Sequence, residues 1–147
     1  MKQFALAAAT AFFATVAQAQ TDVITYTTDE SFEDVVFGLE NAIVDAGLVV
    51  DSVSHVGDML ERTKADVGSD VTIFAHADTY SFCSAAISRR VMEADPMNVV
   101  FCPYDIFVIQ RPGDDKVTIG FRDYPDGAMQ AVEDLLDGIA RAAIGLN

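Results

Sequence analysis

The chain has 147 residues, of which 23 are acidic and nine are basic, so its formal net charge is −14. This length fits one domain with a hydrophobic core and is too short for two ordinary domains. The negative charge excludes proteins that bind the phosphate backbone of nucleic acids, and it disfavours the anionic surface of a membrane as a partner.

The N-terminal segment has the pattern of an export signal. Residues 1–3 carry one positive charge, and residues 4–16 are an unbroken run of apolar residues and threonine. Residues 17–19 (AQA) supply the small side chains that signal peptidase reads, which predicts cleavage near Ala19. Because the apolar run is too short to cross a bilayer, we expect no membrane insertion. We therefore expect a signal peptide over residues 1–19 and a mature domain over residues 20–147 in the periplasm or secreted.

The mature domain opens with a strand and a long helix. Val23–Thr28 is rich in β-branched residues, which favours a strand. Ser31 and Asp34 follow with a spacing that resembles a capping box, in which the serine hydroxyl accepts from an early backbone N–H of a helix. Apolar residues then recur at helical spacing until Gly47, a typical helix stop.

The rest of the chain continues to alternate between strand and helix patterns. Turn residues at 112–115 (PGDD) join the last two strands into a hairpin. We predict strands over residues 48–56, 71–77, 105–110 and 116–123, and helices over residues 57–66, 81–94 and 128–143.

This order of elements predicts an α+β fold. We expect a single compact domain with a mainly antiparallel sheet of four to five strands and helices packed on one face. A doubly wound parallel sheet is the alternative. The hairpin and the lack of a glycine-rich phosphate loop argue against it.

The sequence carries none of the common catalytic motifs: no nucleophile elbow, no Walker loop, no zinc-protease motif and no paired-cysteine zinc motif. Carboxylates are so frequent that no pair of them stands out, and most such groups are solvated. The sequence therefore does not indicate an enzyme.

Two cysteines, Cys83 and Cys102, are the most unusual feature. In an exported chain, two and only two cysteines most often form one disulfide. The bridge would close a loop of 20 residues counting both ends, which on the chain-entropy model stabilises the fold by about 3 kcal/mol.

A second interpretation makes these cysteines a candidate ligand or redox site. If Cys83 lies in the first turn of a helix, the helix dipole favours its thiolate, and Arg90 shares its stripe of the helix with Ile87. His76 ends the preceding predicted strand, and the turn could bring it near Cys83. With Cys102, these residues offer soft ligands for copper, or for haem, although their spacing matches no standard metal site.

Four segments resemble the family called domain of unknown function 302. They are residues 80–84 (YSFCS), 91–96 (VMEADP), 101–108 (FCPYDIFV) and the strand Val117–Arg122, and the upstream strand–helix–strand also suits the family. The resemblance implies a compact α+β domain that is commonly exported in bacteria and sometimes self-associates. It implies no reaction and no catalytic residue.

Two functions follow from the sequence. In the first, the protein is a disulfide-stapled periplasmic module without a cofactor that binds an unknown small ligand or protein partner, or a second copy of itself as a homodimer. In the second, it is a thiol-dependent or metal-dependent redox protein that uses Cys83, Cys102 and His76.

Overall fold

The computed structural model describes residues 23–146. The predicted signal peptide and its cleavage site near Ala19 lie outside the described residues. The described part contains five strands, four α-helices and one 3₁₀ helix. The strands are β1 (Val23–Thr28), β2 (Val50–His55), β3 (His76–Phe82), β4 (Tyr104–Gln110) and β5 (Val117–Arg122), and the helices are α1 (Phe32–Asp45), α2 (Val56–Thr63), α3 (Ala85–Ala94), α4 (Gln130–Ala143) and the 3₁₀ helix Pro96–Phe101.

The strands form one sheet in the order β1-β5-β4-β3-β2, and each neighbouring pair is antiparallel. This arrangement confirms the predicted α+β fold, with five strands. β1 pairs with β5 and forms one edge of the sheet. β4 pairs with both β5 and β3 and lies at the centre of the sheet. Among the described residues, no helix is both long and apolar enough to cross a bilayer.

The hydrophobic core lies between one face of the sheet and the helices α1 and α4. Alternate residues of the strands point into it, as the period of two in a strand requires. The largest fully buried side chains come from both layers: Phe82, Tyr104, Ile106, Ile119 and Phe121 from the sheet, Leu39 and Ile43 from α1, and Leu136 from α4.

The helix α1 begins and ends where its sequence signals place it. The Ser31 hydroxyl caps it by accepting from the backbone N–H of Asp34 at 3.1 Å. Gly47 follows the helix with a φ of +75°, a conformation that glycine adopts at little cost. The long helix therefore stops in time for the chain to return to the sheet as β2.

The predicted strand over residues 71–77 is wrong. Residues 71–75 have no regular structure, and Val71 and Ile73 are exposed. The strand is instead β3, whose core-facing residues Tyr80 and Phe82 are buried. The polar stretch is the one that pairs with both β2 and β4, whereas residues 71–75 belong to no strand.

The shift of β3 also moves the next helix. The sequence predicts a helix over residues 81–94, but α3 begins at Ala85 and is capped by Ser84, whose hydroxyl accepts from the backbone N–H of Ile87 at 3.4 Å. Ser81 and Phe82 belong to β3. Cys83 consequently lies between a strand and a helix cap rather than in a helical turn.

Candidate functional site

The end of the β3–β4 pair brings Cys83 and Cys102 together. Phe82 and Tyr104 face each other as the last paired residues of these strands. Cys83 follows Phe82 directly, and Cys102 precedes Tyr104 by two residues across a cis Cys102–Pro103 peptide bond. The two Sγ atoms lie 2.8 Å apart, and both side chains are half-buried. The sequence-predicted partners are therefore neighbours, and their disulfide stays a prediction.

The environment of Cys83 opposes ionisation. Burial is the largest cause, followed by the hydrogen bond with the Cys102 thiol, and together they raise the pKa of Cys83 to about 12. A hydrogen bond with the Tyr104 backbone acts in the opposite direction but does not offset them. The expectation that Cys83 lies in the first turn of a helix is wrong, because α3 begins at Ala85 with Ser84 as its cap, and burial of Cys83 opposes the thiolate.

An aromatic cluster lies next to the cysteine pair and consists of Phe101 and Tyr104, which flank Cys102 in the chain, and Tyr124. The Tyr124 ring meets the Phe101 ring edge-on with centroids 5.7 Å apart, and it meets the Tyr104 ring in the same way at 6.3 Å. The Tyr104 hydroxyl lies 3.0 Å from the Ser88 hydroxyl of α3. Burial raises the pKa of Tyr124 to about 12, so this phenol stays protonated at alkaline pH values at which an exposed tyrosine ionises.

His76 does not belong to this site. It begins β3, whereas Cys83 follows the other end of that strand, so the two residues are separated by on the order of 20 Å of extended chain. Its ring instead stacks on Phe32, with centroids 4.8 Å apart. The expectation that a turn brings His76 near Cys83 is wrong because the strand begins, rather than ends, at His76.

Arg90 is also misplaced by the sequence analysis. It is exposed on α3, and the buried residue of that helix is Val91. The sequence places Arg90 on the same helix face as Cys83 because the predicted helix includes Cys83. The observed helix begins at Ala85, so this shared face does not exist. Among residues 23–146 no group of three or more histidine, cysteine and acidic side chains converges in a way that could hold a metal ion.

A second candidate surface escaped the sequence analysis. On the sheet face away from α1 and α4, two hollows of about 320 and 270 Å³ lie side by side and share Val23 and Phe107. We call these two hollows the sheet trough. Its signal in the sequence is the alternation of β4, where Asp105, Phe107 and Ile109 point away from the core. In the sequence these residues are recognisable only as the outward positions of one strand. Which other residues lie beside them depends on the order of the strands in the sheet.

The groove between α1 and α4 is different in character. It has a volume of about 510 Å³ and is lined mostly by small side chains. Its charged lining residues are all acidic: Asp45 and Asp134. The groove therefore shares the negative charge of the whole chain, and the sheet trough does not.

Comparisons with known proteins agree on the family. The model of the family described as domain of unknown function DUF302 matches residues 24–144. A solved structure, the crystal structure of an uncharacterised conserved DUF302 protein from Bacillus stearothermophilus, is similar with a TM-score of 0.61 and 16% sequence identity. The match covers 84% of this chain and 95% of that one. No curated protein matches this chain.

Proposed function

This chain belongs to the DUF302 family, and we propose that it works as an exported binding module whose Cys83 and Cys102 close into a disulfide. The observation that carries the proposal is the 2.8 Å separation of the two Sγ atoms at the end of the central strand pair. Export would place the chain in an oxidising compartment, where such a pair is converted to a bridge.

The disulfide forms without a large rearrangement of the fold. The two thiols lose two protons and two electrons to a protein or small-molecule disulfide of the compartment, which leaves as two thiols. The new bridge ties the end of β3 to the start of β4 and encloses α3 and the 3₁₀ helix. It therefore holds the aromatic cluster, whose two tyrosines are buried, against the sheet.

The environment of Cys83 favours a structural role over a reactive one. The thiolate is the attacking species in thiol chemistry, and a pKa of about 12 keeps the reduced Cys83 almost entirely as a thiol at neutral pH. Neither histidine lies beside the pair to take its proton, since His76 begins β3 and His55 pairs with Asp78 in the same half of that strand. A bridge that exchanges slowly suits a module whose task is binding.

A thiol-dependent redox role is the second candidate. The observation that favours it is the 3₁₀ helix, which exposes Met97, Val99 and Val100 immediately before Cys102. Exposed apolar side chains beside a cysteine pair are a surface on which a protein that exchanges disulfides can rest. The reduction potential separates the two roles, because structural disulfides lie below about −300 mV and exchanging ones lie above it.

Equilibrium unfolding with and without reductant tests the proposal. We expect reduction to lower the free energy of unfolding of the exported wild-type protein by about 3 kcal/mol. The matched control is the Cys83→Ser/Cys102→Ser double variant, which should not respond to reductant. A wild-type protein that is equally stable in both conditions would contradict the stapled module.

A further inference from the structure

The sheet trough combines an apolar floor with hydroxyl groups. Phe107 and Val23 line both hollows, and Ile109 extends the apolar surface in the larger one. Thr25 and Thr118 add hydroxyls in the larger hollow. Such a mixture of apolar surface with a few polar groups is typical of small-ligand sites.

Gly120 makes room for the Phe107 ring on the floor of the trough. A Cβ at this position would lie 2.7 Å from Cζ of Phe107 and 2.5 Å from the Ile24 carbonyl oxygen. The Phe107 ring can therefore settle over the β5 backbone only because residue 120 has no side chain. The two hollows lie on either side of this ring, which both of them share.

The charge of the trough differs from that of the chain. Three of the nine basic residues line it: Arg111 and Lys116 in the larger hollow and Arg122 in the smaller one. The acidic lining residues are Asp114 and Asp105, so the lining has a surplus of positive charge in a chain of net charge −14.

Two guanidinium groups of the trough, those of Arg111 and Arg122, are available to a ligand. Lys116 pairs with Asp29 at 2.9 Å, and Asp105 accepts a hydrogen bond from the Ser81 hydroxyl. Within residues 23–146 neither Arg111 nor Arg122 forms an ion pair with a carboxylate, and both are exposed. A guanidinium group on an apolar floor is suited to a carboxylate, sulfonate or phosphate group.

We infer that the sheet trough binds a small organic anion with an apolar body, which lies on Phe107 while its negative group reaches Arg111 or Arg122. This inference rests on the proposed function, because it names the ligand class and the surface of the binding module. A second copy of the chain fits the trough less well. In a two-fold interface the arginines of one trough would face those of the other, and two chains of strongly negative net charge would be brought together.

Binding of the fluorescent probe anilinonaphthalene sulfonate to the folded mature protein tests the inference. We expect saturable binding that Arg111→Gln and Arg122→Gln each weaken by about two- to fivefold, the range for exposed charge pairs. Arg90→Gln is the matched charge control, because Arg90 is exposed on α3 away from the trough. It should leave the affinity unchanged.

Two further arms separate the apolar and the charged contributions. Phe107→Leu should weaken binding of the probe. Val49→Ala, which shortens an exposed apolar side chain outside the trough, should leave binding unchanged. Phenylnaphthylamine, which has the same rings without the sulfonate, should bind wild type more weakly and be insensitive to both arginine variants. Circular dichroism of each variant shows whether it is folded.

Several results would overturn the inference. Equal losses in Arg90→Gln and the trough variants would show general charge attraction, and no loss in either trough arginine variant would place the probe elsewhere. If the wild-type protein is a dimer that does not bind the probe, and Phe107→Leu is a monomer, a second copy of the chain covers the trough. None of these results bears on the disulfide, which the unfolding experiment tests separately.

Discussion

Gly38 of α1 lies against the backbone carbonyl of Ala143 in α4, so closely that a Cβ at residue 38 would clash with the carbonyl oxygen. The two helices reach this distance only because residue 38 has no side chain. Since α1 and α4 together cover the core face of the sheet, this contact sets how tightly the helical layer closes.

Gly38→Ala should therefore destabilise the protein. The added methyl group meets backbone rather than a movable side chain, so the helices must shift apart, and we expect a loss of about 1–3 kcal/mol in the free energy of unfolding. Urea denaturation measures it.

Gly138→Ala is the matched control on α4. A Cβ at residue 138 meets nothing within 4 Å, and alanine favours a helix over glycine. We expect a gain of about 0.4–1 kcal/mol from the same measurement. Opposite signs for the two substitutions support the close contact, and a stabilising Gly38→Ala would refute it.

The Tyr26 hydroxyl ties the edge strand β1 to α4. It donates a hydrogen bond to Asp137, and the Arg141 guanidinium lies 5.8 Å from the centre of the Tyr26 ring. The hydrogen bond to Asp137 is the largest cause that raises the pKa of Tyr26.

Tyr26→Phe should lower the free energy of unfolding by about 1 kcal/mol, because it removes this hydrogen bond and keeps the ring. Asp134→Asn, which changes an exposed acid of the same helix, is the control and should have a smaller effect. Identical stabilities for wild type and Tyr26→Phe would show that the hydrogen bond contributes nothing.

Two buried tyrosines predict a loss of stability at alkaline pH. Burial is the main cause that raises the pKa of Tyr80 and of Tyr124 to about 12, from an ordinary value near 10. Between about pH 10 and pH 12 the phenols ionise in the unfolded chain but stay protonated in the fold, so stability falls as the pH rises through this interval.

Denaturant unfolding across that pH range, together with the ultraviolet absorbance of tyrosinate, measures the effect. Tyr80→Phe should reduce the slope of stability against pH, since it removes one of the tyrosines whose pKa the fold raises. A slope that is the same in Tyr80→Phe and wild type would contradict the contribution of Tyr80.

Local signals in the sequence suffice for most of the fold. The capping serine, the glycine after α1 and the turn before β5 each act over a few residues, and each is found where it was predicted. The failure at β3 has the opposite origin. Residues 71–75 look like a better strand than β3, but only the pairing of β3 with both β2 and β4 decides between them.

The candidate sites depend on the same long-range pairing. Cys83 and Cys102 could be matched from the sequence because they are the only cysteines. His76 and Arg90 were placed by the wrong strand and helix boundaries. The sheet trough joins Phe107 and Arg122 of the β4–β5 hairpin to Val23 of β1, a strand that is distant in the chain, so no local pattern could complete it.

The number of free thiols in the mature, unreduced protein tests the central claim most directly. Titration under denaturing conditions, with intact mass on the same sample, counts the thiols and shows whether two hydrogens are missing. The proposed disulfide between Cys83 and Cys102 predicts no free thiol before reduction and two after it. Two free thiols in exported protein that has never met a reductant would contradict it.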